Sequence, residues 1–594
     1  MKQFFKFTFA SCLGCLISGV LLIFFLIGVI GSAIPSGETA SVEIKDNSVL
    51  RIELNRPVYD REVSDISMLG GIVNGEINSP IGLTEFIVVL KKAKTDKSVK
   101  AVLLDLSPLQ TYGWATVEEM RQALLDFKKS GKKVYAYGDV LPQSSYYLAT
   151  AADEIYLNPA GMLTIMGLGA EVVYYKDLLS KFDVDVDLIR PKNNSYKSAG
   201  ESYVNNKMSS ENREQIKTYL NSIWNYVSDN IVKSRGLDSE QFNSKVSSLE
   251  YFLPKDALRF GMIDGLNFKT DVEEIIVSKV RKQFGIGEKA KVNFVKYSRY
   301  RESIMDIFKP AKENVAIVYA YGGVNQGKGS DLTIGSETIV KAIREAVENK
   351  SVKAIVFRVN SPGGDAVASE LIINEIIKAK KVKPVIVSMG DVAASAGYEM
   401  SSNASKIMAS PVTITGSIGV FGVLPNFART LKNNLGITFD TVKTHDNSIA
   451  LSLTTPASET ARLMMQNNVE NFYDNFLTRV ATGRNLSKTF VDSVARGRVW
   501  SGADAEKIGL IDEFGGLEKS IAAAALAGNL KSYGLVAYPK AKDLATQIIE
   551  SFSGETDMKL FTKQLGKPYS FFLELKDICQ MQGVQARMPY LIRF

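Results

Sequence analysis

Two glycine-rich stretches in the second half of this 594-residue chain carry the groups that could do chemistry. Gly390-Asp-Val-Ala-Ala-Ser-Ala-Gly-Tyr398 follows an apolar run, residues 384–388, that reads as a buried strand, and it offers one hydroxyl, Ser395, among small residues. Small neighbours let a substrate backbone come close. If a helix begins at Ser395, its first N–H groups, that of Ala396 foremost, face whatever the hydroxyl attacks and favour developing negative charge. The other stretch, Arg358-Val-Asn-Ser-Pro-Gly-Gly-Asp365, sets Gly363 and Gly364 after a strand. Paired glycines there permit positive φ and leave N–H groups uncovered, as an oxyanion hole requires. Taken singly, Ser395 is also the small residue that close helix packing selects, and the glycine pair an ordinary strand-to-helix turn. Taken together, they point to nucleophilic serine chemistry.

A serine hydroxyl needs a base. The chain has one histidine, His445, in the polar stretch Lys443-Thr-His-Asp-Asn-Ser448, which reads as a surface loop. Lysine is the alternative, since burial can lower its pKa from about 10.4 towards neutrality. Composition alone cannot choose among the many lysines. One histidine and three cysteines, of which Cys12 and Cys15 lie in an apolar stretch, argue against a zinc site or a disulfide framework. No metal or cofactor is expected. The net charge of +7 comes from 71 basic and 64 acidic residues without a long basic block, which argues against a nucleic-acid partner.

The elements that must position these residues are written twice. Ser98-Val-Lys-Ala-Val-Leu-Leu-Asp105 returns as Ser351-Val-Lys-Ala-Ile-Val-Phe-Arg358, and Gly138-Asp-Val140 returns as Gly390-Asp-Val392. Tyr146, Ile155 and Pro159 match Tyr398, Ile407 and Pro411, while Asp256, Ala257, Gly261 and Asp264 match Asp504, Ala505, Gly509 and Asp512. In each copy short β-branched runs (134–137, 384–388) alternate with helical stretches (116–129, 369–380), the pattern of βαβ units in a largely parallel sheet. Length agrees, because single cores stop growing near about 250–300 residues. The first copy is placed at 50–300, the second at 313–545, with the charged stretch 297–312 between them. The copies differ where the chemistry lies: Gln143 stands opposite Ser395, and Asp105-Leu-Ser-Pro-Leu-Gln-Thr-Tyr112 lacks the glycine pair.

Ser361-Pro-Gly-Gly364, Gly390 to Tyr398, Thr415-Gly-Ser-Ile-Gly-Val-Phe-Gly422 and Arg498-Val-Trp-Ser-Gly502 together resemble the long, duplicated form of bacterial signal peptide peptidase A, the protease IV family. The resemblance runs from about residue 50 to the end of the second copy. It implies an α/β fold of two tandem Clp-protease-like or crotonase-like repeats. It also implies a serine peptidase with Ser395 as nucleophile in one copy and, from the motif Tyr196-Lys-Ser-Ala199, Lys197 as base in the other. The repeat register independently sets Lys197 opposite Ile449, so each copy lacks what the other supplies. Gly363 or Gly364 and Ala396 are assigned to the oxyanion, and Ser417 to orienting the lysine, though it also reads as a plain loop serine. Two positions depart from the family pattern. Ala396 replaces a frequent glycine and keeps its amide, and Ser202 replaces a frequent proline. Peptide substrates, including cleaved signal peptides and membrane-protein fragments, and a homotetramer are further implications of the resemblance.

Residues 7–34 carry no charge and are long enough for a helix across a bilayer core of about 30 Å. With Lys2 and Lys6 before it, the segment reads as an uncleaved anchor within residues 1–40, in preference to a signal peptide. The catalytic part then lies on the outer, periplasmic side of a bacterial inner membrane. The tail 546–594, with Phe571-Phe572 and Met588-Pro-Tyr-Leu-Ile592, reads as a strand or turn on its own domain, or as an arm on a neighbour. Two other classes compete: a crotonase-like acyl-CoA enzyme, which an outward-facing protein would hardly supply with CoA, and a non-catalytic membrane scaffold.

Overall fold

The runs 98–105 and 351–358 are apolar on both faces, as strands of a parallel sheet covered on each side must be. A computed structural model describes residues 14, 17–18, 43–62, 80–107, 113–304, 308, 310–540 and 584–588. The expected anchor at 7–34 lies outside the described residues except for positions 14, 17 and 18, and so does all of the tail 546–594 but 584–588. Among the described residues no helix is long and apolar enough to cross a membrane.

Each copy builds an α/β layer structure with the same strand order. The first sheet runs Gly265–Leu266, Glu154–Thr164, Lys133–Pro142, Val99–Asp105, Ser48–Glu53, Asn293–Lys296, all parallel. The second repeats that run as Glu513–Phe514, Lys406–Ala409, Val385–Ala394, Val352–Ser361, Asn314–Tyr321, Gly534–Tyr538, also parallel, and adds a branch on Val385–Ala394, the parallel Ile414–Gly416 followed by the antiparallel Val499–Ser501. Alternate side chains of each strand enter different cores. In the second copy Ile355 and Phe357 meet Ile339, Ile343 and Ile372, while Ala354 and Val356 meet Leu517 and Ala524. The matched polar residues repeat their bonds too. Tyr146 donates to the Met262 carbonyl as Tyr398 does to that of Leu510, and Arg235 pairs with Asp264 as Arg484 does with Asp512.

Buried charge locks one copy onto the other beside the second sheet. Arg358 pairs with Asp60 and Glu119 of the first copy, at 2.7 and 2.8 Å, with all three side chains withdrawn from solvent. Breaking one partner of such a cluster costs about 3–5 kcal/mol, because the remaining charge is left buried and unpaired. Asp391, next to the candidate serine loop, accepts bonds from the backbone N–H and hydroxyl of Thr116, in the first turn of Trp114–Lys128. A third sheet then spans both copies, in the order Gly329–Ser330, Thr333–Gly335, Gly323–Asn325, Gly363–Asp365, Val584–Arg587, Phe421–Asn426, Asp185–Ile189. Its last strand comes from the first copy and one inner strand from the tail.

Candidate active site

The strand Val385–Ala394 runs directly into the short helix Ala396–Ser401, and Ser395 is the hinge between them. Its backbone has φ +56° and ψ −119°, a conformation a non-glycine residue holds only when its surroundings force it. The forcing groups are the Gly416 carbonyl, which accepts from the Ser395 N–H at 2.8 Å, and the Glu399 N–H, which donates to the Ser395 carbonyl at 2.8 Å. This sharp turn leaves the hydroxyl at the end of the sheet. Ala396 is the first helical residue, so its N–H has no acceptor within the helix.

Lys197 reaches this hydroxyl from the first copy. Its Nζ lies 2.7 Å from Ser395 Oγ and 3.1 Å from both the carbonyl and the hydroxyl of Ser417. Ser395, Lys197 and Ser417 are all fully buried. In this arrangement Nζ donates to all three oxygens while the Ser395 hydroxyl donates weakly to the Gly419 carbonyl; a neutral amine, with two N–H donors and one lone pair, can keep both donors on Ser417 and receive the Ser395 hydroxyl on the lone pair. Burial pushes Lys197 well below its ordinary value, and the carboxyl of Glu399 pulls the other way but less strongly. Glu399 is itself pushed up to about 8, first by burial and next by Glu370.

The lysine loop is clamped by the second copy. The Tyr196 N–H donates to the Arg496 carbonyl at 2.9 Å, and Asn194 Nδ2 donates to the Val420 carbonyl at 3.0 Å. Arg190 holds the Lys197 carbonyl at 3.0 Å. Gly497 has φ +80°, and a Cβ there would stand 2.5 Å from the Cα, Cβ and nitrogen of Lys197. Only glycine leaves room for the lysine.

Among the proposed oxyanion residues, Gly363 (φ +98°) abuts the serine: a Cβ on it would lie 3.0 Å from both the Ala396 nitrogen and Ser395 Cβ. In this state its own N–H donates to Ser361 Oγ at 3.2 Å. Gly364 instead backs onto Val324. His445 is exposed, beside Thr444 in the loop after the helix Ala428–Leu435, and Ile449 sits in the same loop. Gln143, opposite Ser395 in the repeat, fills its copy's equivalent position by accepting from the Met166 and Gly167 N–H groups and donating to the Gly167 carbonyl. Sequence reasoning missed Glu399, Gly497 and the Gly419 carbonyl, which accepts weakly from Ser395 Oγ at 3.4 Å. Gly419 and Gly497 lie within or beside the quoted motifs, so a search for glycines flanking them could have found both. Nothing in the sequence separates Glu399 from a surface carboxylate.

The model of peptidase family S49 matches the chain twice, at residues 126–281 and 377–531. This chain belongs to peptidase family S49. The S49 chain is 34% identical over 517 residues to Protease 4 of Haemophilus influenzae, covering 84% of this chain and 82% of that one. It is 31% identical over 568 residues to Protease 4 of Salmonella typhi, covering 93% and 90%. With the chloroplastic serine protease SPPA of Arabidopsis thaliana it shares 29% over 553 residues, covering 92% and 78%. This S49 member is thus a serine peptidase with an α/β fold and two family repeats, of the long duplicated kind.

Proposed function

We propose that this S49 peptidase cleaves peptide bonds with Ser395 as nucleophile and Lys197 as general base. The observation that carries the reading is the 2.7 Å approach of a fully buried lysine to a serine held at the head of a helix. Ser395 Oγ attacks the scissile carbonyl carbon, and its proton passes to the lone pair on Lys197 Nζ. The ammonium so formed keeps two acceptors on Ser417, and Glu399 offsets part of its charge. The oxyanion is taken by the Ala396 N–H, with the N–H of Gly363 joining it on release from Ser361; Gly364, turned to Val324, is the weaker assignment. Collapse breaks the C–N bond, and the amine leaves with the proton from Lys197. Water then gives its proton to Lys197 and attacks the acyl-enzyme, releasing the acid and restoring Ser395.

Dividing serine and lysine between copies makes one site per chain. The apolar residues 7–34 would hold it to a bacterial inner membrane with the site outside, where cleaved signal peptides and membrane-protein fragments are the substrates, and a homotetramer is the assembly the family resemblance implies. A fluorophosphonate probe tests the chemistry. Intact protein should be labelled at Ser395, whereas Ser395→Ala should be folded, unlabelled and inactive on peptides. Normal turnover by that variant would end the assignment.

A further inference from the structure

Arg498 follows directly on Gly497, the residue whose missing side chain makes room for Lys197. Its guanidinium lies over two rings at once, one from each copy, 4.8 Å from the ring centre of Tyr196 and 4.5 Å from that of Trp500. Nη2 pairs at 2.7 Å with Glu214 of the helix Ser210–Arg235, while Nε is withdrawn from solvent with no acceptor among the described residues. The rings and that carboxylate are therefore what hold the side chain.

The two rings stand on the two halves of the candidate dyad. Tyr196 precedes Lys197, and its carbonyl accepts at 3.0 Å from Gln215 Nε2, whose partner atom Oε1 accepts from the Val499 N–H at 3.0 Å. Trp500 packs on Gly416, where a Cβ would stand 2.8 Å from Trp500 Cδ1, and the Gly416 carbonyl holds the Ser395 N–H at 2.8 Å. The carbonyl of Arg498 itself accepts from the Ser417 N–H at 2.7 Å, and Ser417 in turn accepts from Lys197 Nζ. Tyr196, Arg498 and Trp500 are half-buried, whereas the adjoining Gly416, Ser417, Lys197 and Gly497 are buried. Flat groups layered in this way both fix a loop and leave water no route past them.

We propose that Arg498 is a positioning residue: its guanidinium binds the Tyr196–Lys197 loop of one copy to the Ser395 strand of the other and keeps water from Lys197 Nζ. This rests on the Ser395–Lys197 reading. Loss of the stack frees the loop, so Nζ spends less time within reach of Ser395 Oγ. It also admits water, which relaxes the desolvation that holds Lys197 below its ordinary value, and the amine is then protonated up to a higher pH. The other titratable and charged groups about Lys197 are Glu399, the Ser395 and Ser417 hydroxyls and, at its carbonyl, Arg190 paired with Glu201. About Arg498 they are Glu214, the Tyr196 hydroxyl and Glu211.

The test follows kcat and KM against pH on a fluorogenic peptide for the full chain, Arg498→Met and Arg498→Lys, with a thermal melt of each. Methionine keeps neither charge nor plane; lysine keeps the charge without the planar guanidinium. In both variants KM should hold, the high-pH plateau of kcat should fall about tenfold, and the acid limb should move up by about one pH unit, tenfold in the protonation equilibrium. A limb that stays in place in both folded variants, with Lys197→Ala inactive, would overturn the proposal and leave the dyad, whatever fall in rate or Tm accompanies it. A defect confined to KM would make Arg498 a substrate contact and overturn it too. So would a lysine variant equal to wild type, since charge alone would then suffice. Should methionine prevent folding, the lysine variant decides among these outcomes. A Lys197→Ala enzyme as active as wild type would remove the base, and the proposal with it.

Discussion

Gly497→Ala is expected to lower peptidase activity about a hundredfold while leaving the protein folded. The new methyl would stand 2.5 Å from the Cα, Cβ and nitrogen of Lys197, which belong to backbone and stem and cannot swing aside. Ordinary carbon contact begins near about 3.5 Å, so the lysine loop must retreat by about 1 Å. Added to the present 2.7 Å between Nζ and Ser395 Oγ, that carries the pair beyond hydrogen-bond reach. A displacement of about 1 Å in a catalytic group costs on the order of 100-fold in rate. The stability loss combines about 1–2 kcal/mol for an alanine at φ +80° with about 1–3 kcal/mol of overpacking. That is a large share of the roughly 5–15 kcal/mol of a typical domain without exceeding it. The assay is kcat and KM on a fluorogenic peptide, with the fluorophosphonate labelling rate and a thermal melt on the same sample. The loss should fall on kcat, since Gly497 guards the proposed base. Activity within about twofold of wild type at an unchanged Tm would refute the reasoning.

Activity should rise with pH through the folded-state pKa of Lys197, because only the neutral amine accepts the proton; Lys197→Ala should remove that limb with most of the turnover, and Lys197→Arg should do no better. Burial lowers that pKa, so the folded state binds fewer protons than the unfolded chain between the folded value and about 10.4. The penalty is full below that window and lifts across it, and urea titrations of Lys197→Met against wild type should show the variant's advantage fading as pH rises. Glu399→Gln removes the charge that favours the ammonium, so the acid limb of kcat should move to lower pH. Glu399 is raised to about 8, so its contribution to stability is present below about 4.5 and lost as pH rises through 8. The Gln variant should lack that loss in denaturant melts. His445→Ala, in an exposed loop where its side chain meets only Thr444, should leave turnover unchanged; a drop of about a hundredfold would reinstate a histidine base.

Local pattern was enough to read the duplicated α/β architecture, because strand and helix periodicity and the repeated Asp256/Asp504 and Tyr146/Tyr398 positions are properties of short segments. The candidate nucleophile was visible for the same reason: a serine among small residues after a strand, missing from the other copy, is a difference between two aligned strings. The resemblance, and not spacing, singled out Lys197, and nothing in the chain's order says that a residue 198 positions before Ser395 ends 2.7 Å from it. That distance follows from how Asp60, Glu119 and Thr116 dock one copy on Arg358 and Asp391 of the other. Burial of Lys197 is likewise a property of the assembled chain: it depends on Gly497 having no side chain and on loops from both copies closing over the amine. The role of Glu399, and the place of the tail that reads as a strand or turn, were not legible because both lie in whom the residues meet, and a residue's composition does not encode its neighbours across the fold. The sequence alone thus determined which groups exist and which elements carry them. Tertiary packing decided which of them share a dry space, and through that the protonation state on which the chemistry turns.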